Sequence, residues 1–224
     1  LVVGFQKLLE GQCPGNTAGA QGSSIDQVVL NLSHPFASDA CSTLNCDITL
    51  DEIAQVMRRL KRNKSTGLDG IKAEFLLDAG DMLHVPLQII FNKLLQQGYL
   101  TSLSTRVIHA LHKGGDALQF ENYRGITMGP VLAKVFAMIF EARLSSWAEE
   151  RGLHARGQAG FRKDFHTTNN LYILRTLIEQ SIHKRKKVYC YFVDFRKAFD
   201  IVPRDLLWQV LDEMGIVGRF MQCL

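Results

Sequence analysis

Val188 to Val193 is an unbroken apolar run, rich in aromatic and β-branched side chains, and it ends on Asp194. A run of this length and composition predicts a strand buried on both faces. The expectation constrains the rest of the chain, which must supply cover for both sides of it. Asp194 adds a second constraint, because a carboxylate beside an apolar core is costly unless something offsets its charge. It therefore predicts a partner, either a cation or a set of hydrogen-bond donors.

The chain has the material for such a core. It has 224 residues, enough for one large domain or two small ones, and 46% of them are hydrophobic, which excludes wholesale disorder. The net charge of +4 is mild and by itself selects no partner. Its distribution is more telling, with cations concentrated in Arg58-Arg59-Leu60-Lys61-Arg62-Asn63-Lys64 and His183-Lys184-Arg185-Lys186-Lys187. Each cluster reads either as a solvated helix end, where cations complement the helix dipole, or as a phosphate-facing patch. The five cysteines form no Cys-x-x-Cys pair and no zinc spacing, so reduced thiols and an intracellular setting are expected, without separating nucleus from cytoplasm. Cys190, inside the apolar run, is expected to act as a small buried apolar side chain. No apolar run approaches the roughly 20 residues of a membrane span, so no membrane partner is expected. The chain starts without Met and stops inside an apolar pattern, which reads as a fragment.

Periodicity then orders the remainder. Gly11 to Ser24, rich in Gly, Ser, Asn and Gln, reads as flexible linker, after a short helix at Phe5 to Leu9. Thr49 and Glu52 form a capping box, followed by Ile53, Val56, Met57 and Leu60 on one helical face. The Lys64-to-Gly70 loop comes next, with Gly67 and Gly70 suited to positive φ and Asp69 to a cap. A P-loop is excluded there, since Gly-Lys-Ser/Thr is absent. Leu83, Leu87, Ile90, Phe91, Leu94 and Leu95 predict a second helix closed by Gly98. Arg106 to His112 predicts a strand entering a glycine turn, and Leu132, Val135, Phe136, Ile139 and Phe140 predict a third helix. A fourth starts near Thr168 with Leu171, Leu174, Ile178 and Ile182 inward. A fifth follows Pro203 with Leu206, Leu207, Val210, Leu211 and Met214 inward, and Gly215 at its C′ position.

Val193-Asp194-Phe195-Arg196-Lys197-Ala198-Phe199-Asp200 resembles the first palm motif of the reverse transcriptases of non-LTR (LINE-type) retrotransposons. Further tracts match the same family in order: Lys64-Ser65-Thr66-Gly67-Leu68-Asp69-Gly70, Lys113-Gly114-Gly115-Asp116, Asn122-Tyr123-Arg124-Gly125-Ile126, and Gln158-Ala159-Gly160-Phe161-Arg162. Lys134 and Arg143-Leu144 fit the family's following helix, and Gly215-Ile216 its palm helix, so the likeness runs over roughly residues 49–216. The chain departs from the family at Thr101 and Ser104, where relatives carry Pro and Trp, and at Gly125, where Pro is frequent.

The resemblance implies an α/β, helix-rich fold of right-hand polymerase fingers with a partial palm. Its segments would be a linker over 1–47, fingers over 48–186 and the N-terminal part of the palm over 187–224. It implies RNA-directed DNA synthesis on an RNA template from a DNA primer with deoxynucleoside triphosphates. Two magnesium ions about 3.5–4 Å apart serve that chemistry, held by hard oxygen ligands. On this carry-over Asp194 is the catalytic carboxylate and a metal ligand, and the backbone carbonyl of Phe195 is a further ligand. Lys113 and Arg124 grip the triphosphate, and Phe199 closes the space of a ribose 2′-hydroxyl. Gln158, Gly160, Arg162 and Lys64 meet template or primer. Each also has a plainer reading: Phe199 as core, Lys113 and Arg124 as surface charge, and the Gln158-to-Arg162 tract as a loop entering a helix. No Asp-Asp dipeptide, the source of the family's other catalytic carboxylates, occurs in the 224 residues, so activity of this polypeptide alone is not expected. A non-catalytic nucleic-acid-binding remnant is one alternative. An aspartate-dependent phosphohydrolase is another, but Arg196 stands where it needs a second Asp.

Overall fold

A computed structural model describes residues 43–97, 101–155, 157–195, 198–199 and 201–224. Residues 1–42 of the linker expected over 1–47, the short helix expected at Phe5 to Leu9, and the helix-closing Gly98 lie outside these residues. The described residues form a helix-rich α/β structure with one two-stranded antiparallel sheet. None of their helices is long and apolar enough to cross a membrane. The chain divides into two units, residues 1–144 with 199–224 and residues 145–198.

In the first unit, helix α1 (Leu50–Arg59) begins as its capping box predicts. The Thr49 side chain accepts from the Glu52 backbone N–H, and Glu52 returns the bond to the Thr49 N–H at 2.9 Å. Ile53, Val56 and Met57 are buried at helical spacing. Helix α2 (Ala73–Ala79) and a 3₁₀ turn (Gly80–Leu83) lead into α3 (His84–Gln97), which buries Leu87, Phe91, Leu94 and Leu95 but leaves Ile90 exposed. A short helix, α4 (Thr101–Ser104), precedes strands β1 (Val107–His112) and β2 (Tyr123–Met128). Helix α5 (Val131–Glu150) follows, with its residues to Leu144 in this unit. Helices α7 (Arg204–Glu213) and α8 (Arg219–Cys223) complete it.

An aromatic chain forms the middle of this core. Phe91 meets Phe136 at 5.4 Å between ring centroids, Phe136 meets Phe140 at 4.6 Å, and Phe140 stacks on Phe220 at 4.5 Å. It ties α3, α5 and α8 into one apolar body, and such ring pairs add about 0.5–1.5 kcal/mol each beyond their area. Helix α7 ends as its sequence predicts: Gly215 takes φ +84° and Ile216 N–H returns to Leu211 O at 3.0 Å.

Side chains hold Leu44 to Ile48 in place ahead of α1. Asn92 bonds both backbone groups of Ile48, at 2.6 and 3.0 Å. Asn45 donates to Val217 O and accepts from the Phe220 N–H. Arg143 spends its five donors here: two on the Glu52 carboxylate, at 2.5 and 2.9 Å, and three on the carbonyls of Leu44, Cys46 and Asp47. Burial pushes the Glu52 carboxyl up, but the Arg143 and Thr49 bonds outweigh it and the group lies below its usual range.

The second unit departs furthest from expectation. It holds the end of α5 and helix α6 (Thr167–His183), which forms where predicted. Its intended inward face is not buried: Leu171, Ile178 and Ile182 are exposed and Leu174 is only half-buried. The run Val188 to Val193 is not a strand, and it is not buried either, with Phe192 85% and Val193 78% exposed. Cys190 is exposed with it. The physical reason lies in pairing. A strand exists by exchanging backbone hydrogen bonds with a neighbour, and among the described residues β1 and β2 pair only with each other. Without a ladder, the apolar pattern cannot bury itself.

Candidate nucleotide and nucleic-acid interface

The β1–β2 ribbon is built by its turn. Lys113 to Asn122 closes it, with the Lys113 N–H donating to Asn122 O at 2.7 Å. Gly114 and Gly115 take φ +117° and +84°, conformations that favour glycine. Asp116 accepts from the Leu118 N–H at its side chain, and the Asn122 side chain donates to the Asp116 carbonyl at 2.8 Å. The Tyr123 hydroxyl donates to Ala117 O at 3.0 Å, and its ring meets His112 at 5.0 Å. The Gly-Asp and Asn-Tyr pairs therefore shape the turn.

Register then decides which cations share a face. Leu111 lies opposite Arg124, and His109 opposite Ile126. Side chains alternate along a strand, and the 113–122 bond extends the ladder by one step, so Lys113, Leu111, His109, Arg124 and Ile126 occupy one face. Lys113 and Arg124 are both exposed there.

Lys64 lies exposed in the loop after α1. Gly70 has the expected positive φ, +68°, and Asp69 accepts from the Ile71 N–H at 3.2 Å. Gly67 does not, and its reason to be glycine is different. A Cβ there would sit 2.7 Å from both the Gly129 carbonyl carbon and the Pro130 nitrogen. The loop thus rests, backbone on backbone, against the segment joining β2 to α5. Within the preceding basic cluster Arg59 pairs with Glu141 at 3.0 Å and Arg62 with Asp78, while Lys61 is exposed.

In the second unit Gln158, Gly160 and Arg162 share one loop. The Gln158 side chain donates to Gly160 O at 3.5 Å, and Arg162 Nη1 to Gln158 O at 3.4 Å. Phe161 and Asp164 have φ of +61° and +63°, and a shallow pocket lined by Gly160, Phe161, Phe165, Thr167 and Thr168 opens at the start of α6. Asp194 and Phe195 are exposed in this unit, in a segment without regular secondary structure, while Phe199 is exposed in the first. The Asp194 carboxylate and the Phe195 carbonyl are hard oxygen donors of the kind magnesium takes. Among the described residues, however, no group of three metal-ligating side chains exists, so these two donors do not complete a metal site.

Sequence reasoning missed Arg143 and Asn45 as organisers. The signal for Arg143 was a cation spaced four residues from Ile139 and from Trp147, on the helix face that both of them bury. Burial of such a group requires partners.

No protein-family model matches the chain. Individual relatives do. It is 26% identical over 157 residues to the RNA-directed DNA polymerase from mobile element jockey of Drosophila funebris, covering 69% of this chain and 17% of the relative. It is 28% identical over 207 residues to the uncharacterised 149 kDa protein of transposon TX1 from Xenopus laevis, covering 83% and 15%. It is 30% identical over 156 residues to the probable RNA-directed DNA polymerase from transposon X-element of Drosophila melanogaster, covering 67% and 17%. The chain thus spans about a sixth of the length of the curated relatives it matches.

Proposed function

We infer that this chain, which belongs to the reverse transcriptase domains of non-LTR retrotransposons, supplies the fingers and the opening part of the palm of an RNA-directed DNA polymerase. The fingers comprise residues 48–186 and the palm begins at 187. The substrates are an RNA template, a DNA primer and deoxynucleoside triphosphates.

The two-cation face of the β1–β2 ribbon is the observation that supports this most. A triphosphate carries several negative charges over a few ångströms. Arg124 can meet it with a planar fork and Lys113 as a compact charge, both from one rigid ribbon. Phe199 stands under the sugar and disfavours a 2′-hydroxyl. Asp194, with the Phe195 carbonyl, contributes oxygen ligands for magnesium. Two such ions, held by these donors together with further carboxylates, would supply the charge that favours the primer alkoxide and the leaving pyrophosphate. Lys64 and the Gln158-to-Arg162 loop contact the template–primer duplex.

Fluorescence anisotropy with a labelled, DNA-primed RNA template tests this on the 224-residue polypeptide. Affinity should fall as salt rises, because released counterions drive contacts between cations and phosphates. With one carboxylate of the required set, the polypeptide should bind without extending the primer. Binding that is absent, or insensitive to salt, refutes the reading.

A further inference from the structure

Arg162 is the cation that the Gln158-to-Arg162 tract offers for phosphate contact, yet its guanidinium is already committed within the fold. Nε donates to Glu149 Oε1 at 2.8 Å and Nη2 to Glu149 Oε2 at 2.9 Å, a two-point pair with a carboxylate on the last turn of α5. Nη1 reaches Gln158 O, and the flat face of the guanidinium lies 4.4 Å from the centre of the Phe165 ring. His154 Nε2 lies 3.5 Å from the same Glu149 Oε1. The hydrogen bonds that Arg162 donates to Glu149 hold the Glu149 carboxyl below its usual range, and the same bonds hold the guanidinium above its own. The charge of Arg162 is thus cancelled locally, while its contacts fasten both ends of the loop from Gln158 to Phe165. Between those ends stand Gly160 and an outward Phe161 with left-handed backbone.

We propose that Glu149 is a positioning residue for nucleic-acid binding: it holds Arg162 as a clamp, and the clamp presents the Gly160–Phe161 backbone and ring to the template–primer duplex. The proposal rests on the polymerase reading above. It differs from a direct role for Arg162 in a way that experiment can separate, because the two roles give Glu149 opposite effects. If Arg162 contacted phosphate, removing the charge of Glu149 would release a cation and tighten binding. If Glu149 positions the loop, removing it loosens the clamp and weakens binding.

The test uses the 224-residue polypeptide with labelled, DNA-primed RNA across a salt series, beside hydrogen–deuterium exchange of residues 157–166. Glu149→Gln and Arg162→Gln should each weaken binding severalfold, and together no more than either alone, since both break one clamp. The slope of log affinity against log salt should stay unchanged in both, whereas loss of a phosphate contact lowers it by about 0.7–0.9. Loop exchange should rise in both single variants, and the reciprocal variant Glu149→Arg/Arg162→Glu should recover protection and affinity. Tighter binding by Glu149→Gln, a reduced salt slope in Arg162→Gln, or unchanged loop exchange overturns the proposal. Should exchange respond while the unmodified chain fails to bind primed RNA, the polymerase reading falls and the clamp stands as structure alone.

Discussion

Replacing Arg143 with Met should markedly destabilise the first unit. The side chain is 7% exposed and uses all five donors, two of them on a Glu52 that is itself 27% exposed. Met keeps much of the apolar stem and removes the head. Counting each charged hydrogen bond at about 1.5–3 kcal/mol would reach the stability of an entire domain, so the bonds cannot be additive. A better guide is the cost of stripping one partner from a buried ion pair, about 3–5 kcal/mol. Water reaches Glu52 in part, and Thr49 still caps it, so the lower end, about 3 kcal/mol, is expected. For a chain of this size that lowers Tm by roughly 6–12 °C, read by circular dichroism.

Acid provides a second readout. The Glu52 carboxyl is depressed in the folded state, so its contribution is present above the unfolded pKa and is lost as pH falls through the folded one. In the Met variant the arginine no longer opposes burial and only the Thr49 bonds do, so the depression shrinks. The gap in Tm between the two proteins should therefore narrow from neutral pH to below about pH 4. A cost under about 1 kcal/mol, or a gap indifferent to acid, refutes the view that Arg143 organises Leu44 to Ile48.

Gly67→Ala should cost about 1–3 kcal/mol, because its Cβ would drive backbone from backbone at Gly129 and Pro130. Gly70→Ala, strained at φ +68° but with open space around it, should cost about 1 kcal/mol, and the reverse order in thermal melts would contradict the seating of this loop. Within an active polymerase, Lys113→Ala and Arg124→Ala should each raise nucleotide KM by losing charge-assisted contacts worth about 1.5–3 kcal/mol, less than additively if both grip one triphosphate. In the same steady-state assay Phe199→Ala should admit ribonucleotides, and retained discrimination between sugars would return this ring to a packing role.

Local chemistry was legible in the sequence wherever one segment determines its own geometry. The Thr49–Glu52 box, the Gly215 terminus of α7 and the glycine turn after β1 formed as read, because each is closed by hydrogen bonds a few residues apart. Helix α6 formed where its period placed it, but periodicity says which face is apolar and not whether anything covers it. The run before Asp194 shows the same limit more sharply. A hydrophobic strand pattern specifies a preference, while the strand itself requires partners, and none of the described residues provides them. Gly67 illustrates a different blind spot: its contact lies with Gly129 and Pro130, far along the chain, so a turn was the natural local reading. The candidate cations gained a common face only when the register of β1 on β2 was known.

The most direct test of the polymerase assignment is primer extension by a chimera in which residues 49–216 replace the matching segment of the jockey polymerase. The account predicts deoxynucleotide incorporation on a DNA-primed RNA template, abolished by Asp194→Ala while affinity for the primed template stays nearly unchanged. Extension that persists in the Asp194→Ala chimera would contradict the account, since the carboxylate it assigns to the reacting centre would then be dispensable.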